Sequence, residues 1–287
     1  MRNLDENTIT EAVLARHAHA DDERLKTIVT SLVRHLHAFA REVNLTESEW
    51  EQGIRFLTDV GHITDDKRQE FILLSDTLGL SMLVTAMANR KPPGCTEATV
   101  FGPFFVEDAP VYRNGDDVSN GAHGEPCFVS GTIRGADGEA VANARIDVWQ
   151  ADADGFYDVQ HGGDDTHRAR GVLHSLADGR YHFRSIVAEP YPIPHDGPVG
   201  RMLEALGRHP WRPAHLHFMI TAPGYERLVT HVFREGDQYL DSDAVFGVRS
   251  SLVAQWNRHE AGTAPDGTCM TTPFSTLEFD FVLNRSV

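Results

Sequence analysis

Near residue 95 the period of the hydrophobic residues changes, and that change limits the folds the chain can reach. Before it, apolar side chains recur at helical spacing. After it, they alternate in short runs separated by Gly- and Asp-rich turns. Ile28, Val29, Leu32, Val33, Leu36, Phe39 and Val43 form a helical stripe, opened by the acidic Asp21-Asp22-Glu23 and closed near Asn44. Thr46-Glu-Ser-Glu49 has the pattern of a capping box and precedes Trp50, Ile54, Leu57 and Val60 on one face. A further helix is expected from about Asp66 to Asn89, with Phe71, Leu74, Leu78 and Met82 on its stripe, stopping before Pro92-Pro93-Gly94. Beyond that point, strands are expected at Cys127–Ile133, Ala144–Trp149, Tyr181–Val187, Leu228–Phe233 and around Leu277, Phe279 and Phe281. The fold class is therefore mixed α and β, with a helical domain over residues 1–95 and a β-sandwich over residues 96–287. The helical part is too amphipathic to stand alone, so it should pack on the rest of the chain or on a second subunit.

Composition narrows the partners. The formal net charge is −16 and no Lys/Arg-rich run occurs, which argues against nucleic acid or an anionic membrane surface. No apolar run approaches a membrane span, and the start of the chain lacks a signal-peptide core. Cys95, Cys127 and Cys269 are odd in number and widely spaced, so they imply neither a disulfide framework nor a Cys-x-x-Cys metal site. The expected setting is the reducing cytoplasm.

The chemistry concentrates at Trp211-Arg-Pro-Ala-His-Leu-His-Phe218. Pro213 excludes a helix, and alternation then puts His215, His217 and Met219 on one strand face and Leu216, Phe218 and Ile220 on the other. Two imidazoles two residues apart on a strand can reach one metal ion, and Arg212 adds a fixed positive charge beside them. The plainer alternative is a half-buried pair at a sheet edge. His17-x-His19 and His35-x-His37 have the same spacing on expected helices, where positions i and i+2 diverge; they read as solvated surface histidines. Tyr157 ends the Gly-containing turn of Asp152-Ala-Asp-Gly-Phe-Tyr157, and Tyr191 is held stiffly between prolines in Glu189-Pro-Tyr-Pro-Ile-Pro194. Two phenolates with two imidazoles would make a hard, anionic site suited to Fe(III), whereas structural zinc more usually recruits cysteine. Thr99-Val-Phe-Gly-Pro-Phe-Phe-Val106 marks a fixed turn among aromatics, either a lid on a core or an apolar pocket wall.

Asp154-Gly-Phe-Tyr157, Pro190-Tyr-Pro-Ile-Pro194 and Arg212-Pro-Ala-His-Leu-His217 resemble, in order and spacing, the ligand-bearing segments of intradiol ring-cleavage dioxygenases. The resemblance covers nearly the whole chain. It implies non-haem Fe(III) held by Tyr157, Tyr191, His215 and His217, an N-terminal helical dimerisation domain giving a homodimer, and a phospholipid in the helical interface. The segments at Leu73–Asp76, Thr99–Phe105 and Tyr191–Gly200 look most like the branch of the family that cleaves hydroxyquinol (1,2,4-trihydroxybenzene) with O₂, giving 3-hydroxy-cis,cis-muconate, which tautomerises to maleylacetate. Chlorocatechol- and catechol-cleaving members are the alternatives. Catechol-cleaving members carry glutamine where this chain has His231. Carried over by position, substrate contacts fall on Leu73, Asp76, Val100, Phe101, Gly102, Pro103, Phe104, Ile193, Pro194, Arg212 and Val245. The catalytic roles fall on Tyr191 as general base and Arg212 as stabiliser of negative charge on the ring. Asp76 could accept a hydrogen bond from the third hydroxyl, or be an exposed helix residue. Two readings of other kinds compete. Val129-Ser-Gly-Thr-Ile-Arg-Gly-Ala-Asp-Gly138 also resembles non-catalytic prealbumin-like binding modules, and His-x-His occurs in cupin-type oxygenases, which usually place a Glu a few residues later; here none follows before Glu226.

Overall fold

A computed structural model describes residues 2–65, 68–161 and 166–286. Two compact units, Met1–Asp59 and Val60–Val287, make up the chain. In the first, helix α1 (Ile9–Ala15) lies against α2 (Glu23–Glu42). Asp22 caps α2 by accepting from Arg24 N at 2.8 Å and Leu25 N at 2.9 Å, as the acidic start of the stripe requires. Helix α3 (Glu47–Ile63) opens with the reciprocal capping box: Thr46 N donates to Glu49 Oε2 at 2.9 Å and Glu49 N to Thr46 Oγ1 at 3.3 Å. Leu25, Ile28, Leu32, Leu36 and Phe39 on α2, and Val43 at its C-cap, all remain exposed. Of the early histidines, His35 is exposed, while His37 is half-buried with Nδ1 2.9 Å from Thr10 Oγ1.

The long helix expected up to Asn89 is broken. Its start at Asp66 lies outside the described residues; from there on, α4 (Glu70–Thr77) and α5 (Leu80–Ala88) are separate and bent by 78°. Gly79 is the cause. At φ 75° it takes the left-handed conformation that terminates α4, and its N–H closes on Asp76 O at 2.9 Å. The break also changes which face is buried. Glu70, Leu73, Asp76 and Thr77 turn inward, while Phe71 and Leu78 of the expected stripe are exposed. α4 packs on α6 (Pro198–Ala205), and the buried Glu70 carboxylate accepts from Val199 N at 3.0 Å at the start of α6. Among the described residues no single helix is long and apolar enough to cross a membrane. The bent pair α4 and α5 meets that test by length and composition only.

The rest is β. In chain order the strands are β1 (Pro126–Gly135), β2 (Arg145–Trp149), β3 (Arg170–His174), β4 (Arg180–Ile186), β5 (Tyr191–Pro192), β6 (Trp211–Arg212), β7 (His215–Thr221), β8 (Leu228–Arg234), β9 (Val253–Ala254), β10 (Trp256–His259), β11 (Gly262–Thr263), β12 (Cys269–Met270), β13 (Phe274–Glu278) and β14 (Phe281–Leu283). One five-stranded sheet runs β10-β13-β1-β14, with β4 also on β1; the second runs β3-β2-β7-β8-β9. The topology is mixed, since β1 is parallel to β13 and β14 but antiparallel to β4. The single C-terminal alternation is in fact two strands. Asp280 interrupts it by accepting from Thr132 N at 2.7 Å.

Leu216, Phe218 and Ile220 of β7 enter the core with Ile146, Val148, Val129, Ile133, Phe183, Leu277 and Phe281. Burying each such side chain contributes about 1.5–3 kcal/mol. Alternation then commits His215, His217 and Met219 to the opposite face. That face is also covered: Asp147 and Trp149 are buried alongside the histidines.

Candidate metal centre

Three local devices bring four donor atoms together. The first is β7, which presents His215 and His217 on one face. The second is the turn before Tyr157. There Asp152 Oδ1 accepts from Asp154 N and Phe156 N, both at 3.0 Å, and Gly155 takes φ 84°. A Cβ on Gly155 would stand 3.1 Å from Tyr191 Cβ, so glycine lets the turn come up against the second tyrosine. The third is the two-residue ladder β5–β6, in which Tyr191 is the direct partner of Arg212.

The resulting contacts are short. The Tyr157 hydroxyl donates to Tyr191 Oη at 3.2 Å and lies 2.9 Å from His217 Nε2, which lies 3.1 Å from His215 Nε2. His215 Nδ1 sits 2.7 Å from the Pro213 carbonyl, which can only accept. That bond fixes the proton on Nδ1 and leaves the Nε2 lone pair facing the other donors. Two nitrogens and two oxygens at 2.9–3.2 Å from one to the next have the spacing of ligands that share one ion at bonds of about 2.0–2.2 Å. Burial keeps both imidazoles neutral: the His215 pKa is pushed down to about 3, and His217 lies well below the ordinary range, with neighbouring imidazoles and Arg212 adding to the effect. Burial and the neighbouring Tyr191 push Tyr157 well above the ordinary phenol range, so a phenolate there needs a cation beside it. The donor set therefore fits a metal ion.

His231 extends the cluster. It is the cross-strand partner of His217 on β8, and nitrogens of His215, His217 and His231 all lie within 4.8 Å of one another. As a neighbour of the donors it was missed in the sequence. The signal was there, because Val229, His231 and Phe233 share a face of β8 opposite the core residues Leu228 and Val232. Asp243 was missed as well. It receives Arg212 Nε at 3.0 Å and Nη2 at 3.2 Å, while Gly247 N donates to its carboxylate at 2.9 Å. Although burial opposes it, the Arg212 charge holds Asp243 below the usual carboxylate range. The pair fixes the guanidinium, whose Nη1 lies 3.2 Å from His215 Nε2.

A cavity opens onto these groups. Leu73, Asp76, Val100, Gly102, Pro103, Phe104, Ile193, Pro194 and Val245 line it together with Tyr191, Arg212 and His217. Of the substrate contacts expected from the sequence only Phe101 is absent. Its ring packs on Phe105 at 4.9 Å and edge-on to Trp149 at 6.0 Å, and it lines a different cavity with Thr85, Arg145 and Met219. Gly102, at φ 75°, turns the chain there and separates Phe101 from Pro103 and Phe104. Asp76 is buried, not exposed, and burial raises its pKa. Phe104 stacks on Tyr157 at 4.4 Å, so the Thr99–Val106 loop is a pocket wall.

The chain matches two family models, "Catechol dioxygenase N terminus" over residues 22–96 and "Dioxygenase" over residues 100–285. It is 63% identical over 287 residues to 6-chlorohydroxyquinol 1,2-dioxygenase of Cupriavidus pinatubonensis, covering 100% of both chains. It is 57% identical to hydroxyquinol 1,2-dioxygenase of Nocardioides simplex, over 97% of this chain and 95% of that one. Among solved structures, hydroxyquinol 1,2-dioxygenase from Pseudomonas putida superposes with a TM-score of 0.91 at 46% identity, covering 98% of this chain and 99% of that one.

Proposed function

We propose that this chain, which belongs to the intradiol ring-cleavage dioxygenase family, opens the ring of hydroxyquinol with O₂ at a ferric centre held by Tyr157, Tyr191, His215 and His217. The observation that carries the proposal is the unbroken run of short contacts from Tyr191 through Tyr157 and His217 to His215, beside a fixed guanidinium and an apolar cavity. Ferric iron bound there would supply the Lewis acidity and one-electron capacity that no side chain offers.

The chain's own groups do the rest. Leu73, Val100, Ile193, Pro194 and Val245 form an apolar wall around a cavity of about 10 Å³, so a flat ring enters as these side chains give way. Tyr191, as a phenolate, would take a proton from a substrate hydroxyl. Arg212 keeps its charge, held by Asp243 against the opposing burial, and stabilises negative charge developing on the ring. Both atoms of O₂ enter the product, 3-hydroxy-cis,cis-muconate, which tautomerises to maleylacetate. Residues 1–95 serve as a helical dimerisation segment that also lends Leu73 and Asp76 to the cavity, and residues 96–287 supply the donors and the rest of the catalytic part. The exposed apolar stripe on α2 supports a homodimer, in whose helical interface a phospholipid would be apolar company. Three unpaired cysteines are in keeping with a cytoplasmic setting.

The test is an anaerobic visible spectrum of the iron-loaded protein, with hydroxyquinol and with catechol. A broad tyrosinate band that moves to longer wavelength with hydroxyquinol, followed by faster turnover of hydroxyquinol on admitting O₂, is expected. A protein that stays colourless after ferric reconstitution would sink the proposal; a preference for catechols would move it to the catechol or chlorocatechol branch. Asp76 is the residue that should separate these substrates. Asp76→Ala is expected to lower kcat/KM for hydroxyquinol about tenfold or more, the cost of one hydrogen bond to a charged or polar partner, with a smaller loss on catechol. Equal losses on both would remove Asp76 from specificity.

A further inference from the structure

One transverse row of side chains crosses the second sheet behind the donors. Arg170 on β3, Trp149 on β2, His217 on β7 and His231 on β8 are successive cross-strand partners. All four are buried, and each has one buried nitrogen without a hydrogen-bond partner among the described residues: Arg170 Nη1, Trp149 Nε1, His217 Nδ1 and His231 Nε2. Trp149 lies flat on His217, with ring centres 4.6 Å apart and planes at 17°, while His231 meets the same ring edge-on at 4.1 Å. The imidazole plane of His217 is set from both sides.

Arg170 anchors the far end of this row. Its Nε donates to Asp158 Oδ2 at 2.9 Å and its Nη2 to Oδ1 at 2.5 Å. Asp158 follows Tyr157 in the chain. Its carboxylate also accepts from Val159 N at 2.9 Å and Arg168 N at 3.3 Å, with His167 Nδ1 at 3.6 Å. Arg170 is thus tied by its ion pair to the residue that follows Tyr157, and it stands across the strand from Trp149, whose ring lies on His217. A buried guanidinium is retained only when paired and hydrogen-bonded, and here just one edge of it is used.

We propose that Arg170 is a positioning residue of the metal centre, holding Tyr157 through Asp158 and His217 through Trp149 while placing a buried positive charge behind both. The proposal rests on the reading that Tyr157 and His217 bind iron. Outer partners of metal ligands typically matter about 10–100-fold in metal affinity, and this one reaches two ligands at once.

The experiment compares the full-length wild type with Arg170→Gln, Arg170→Lys and Asp158→Asn. Each apoprotein is titrated with ferric iron, the visible band is recorded, and thermal melting checks the fold. Arg170→Gln is expected to melt cooperatively, to bind iron about 10–100-fold more weakly and to show a displaced tyrosinate band. Arg170→Lys, which keeps the charge but loses the two-point grip, should recover the band position more than the affinity, and Asp158→Asn should resemble Arg170→Gln. Should Arg170→Gln fail to fold, the other two carry the comparison, each expected to bind iron about tenfold more weakly. Wild-type affinity and an unmoved band in the folded variants would overturn the role of Arg170. A wild-type protein that takes up no ferric iron would overturn the iron reading itself, which is a separate result.

Discussion

Replacing His217 by alanine is expected to yield a folded but colourless protein without stoichiometric iron, and turnover reduced by at least about three orders of magnitude. The size follows from what is removed. On the proposed assignment one donor of four goes, and with it the Lewis-acid stabilisation of several kcal/mol that a bound ion would provide. His217 also fills the space between Trp149 and His231, with Tyr157 2.9 Å from its Nε2. The truncation should therefore lower stability by about 2–5 kcal/mol, as other large buried truncations do. Metal analysis and denaturant melts separate the two effects. Full iron occupancy in His217→Ala would remove this residue from the donor set and turn attention to His215 with His231.

Arg212→Gln is expected to behave differently: iron and colour retained, KM changed little, and kcat lowered about 10²–10³-fold, the usual cost of losing one charge-stabilising donor. Stability should suffer too, because Asp243 would be left buried without its partner; removing one member of a buried pair costs about 3–5 kcal/mol. The double variant Arg212→Gln/Asp243→Asn distinguishes the two contributions. It should regain much of the stability and none of the turnover. If turnover returned along with stability, Arg212 would be a structural residue only.

Much of this was legible in residue order. Pro213 and the alternation after it place His215 and His217 on one face without any knowledge of the sheet, because a strand has a period of two. The proline-flanked Tyr191 and the glycine turn before Tyr157 announce aimed side chains for a similar local reason. The break at Gly79 was harder to see. A single glycine inside an apolar run is tolerated in helices, and its left-handed φ of 75°, which breaks this one, is not written in the run itself. The register of β2, β3, β7 and β8 could not be read at all. Which residue stands beside His217 depends on pairings between segments far apart in the chain, so Trp149, Arg170 and His231 emerge as neighbours only when the sheet is assembled. Phe101 lines a different cavity from the one expected for a related reason, since the turn at Gly102 parts it from Pro103 and Phe104.

The short ladder β5–β6 has a consequence for timing. It ties the backbone of Tyr191 to that of Arg212, and prolines flank the tyrosine on both sides. If the phenol is to leave the donors and take up a proton, the main chain has little freedom to carry it. The excursion becomes a rotation about side-chain bonds, which belongs to a faster class of motion than the microsecond-to-millisecond opening of a lid. On the proposed role of Tyr191, the base is exposed by a torsion of its own side chain while the backbone ladder stays in place.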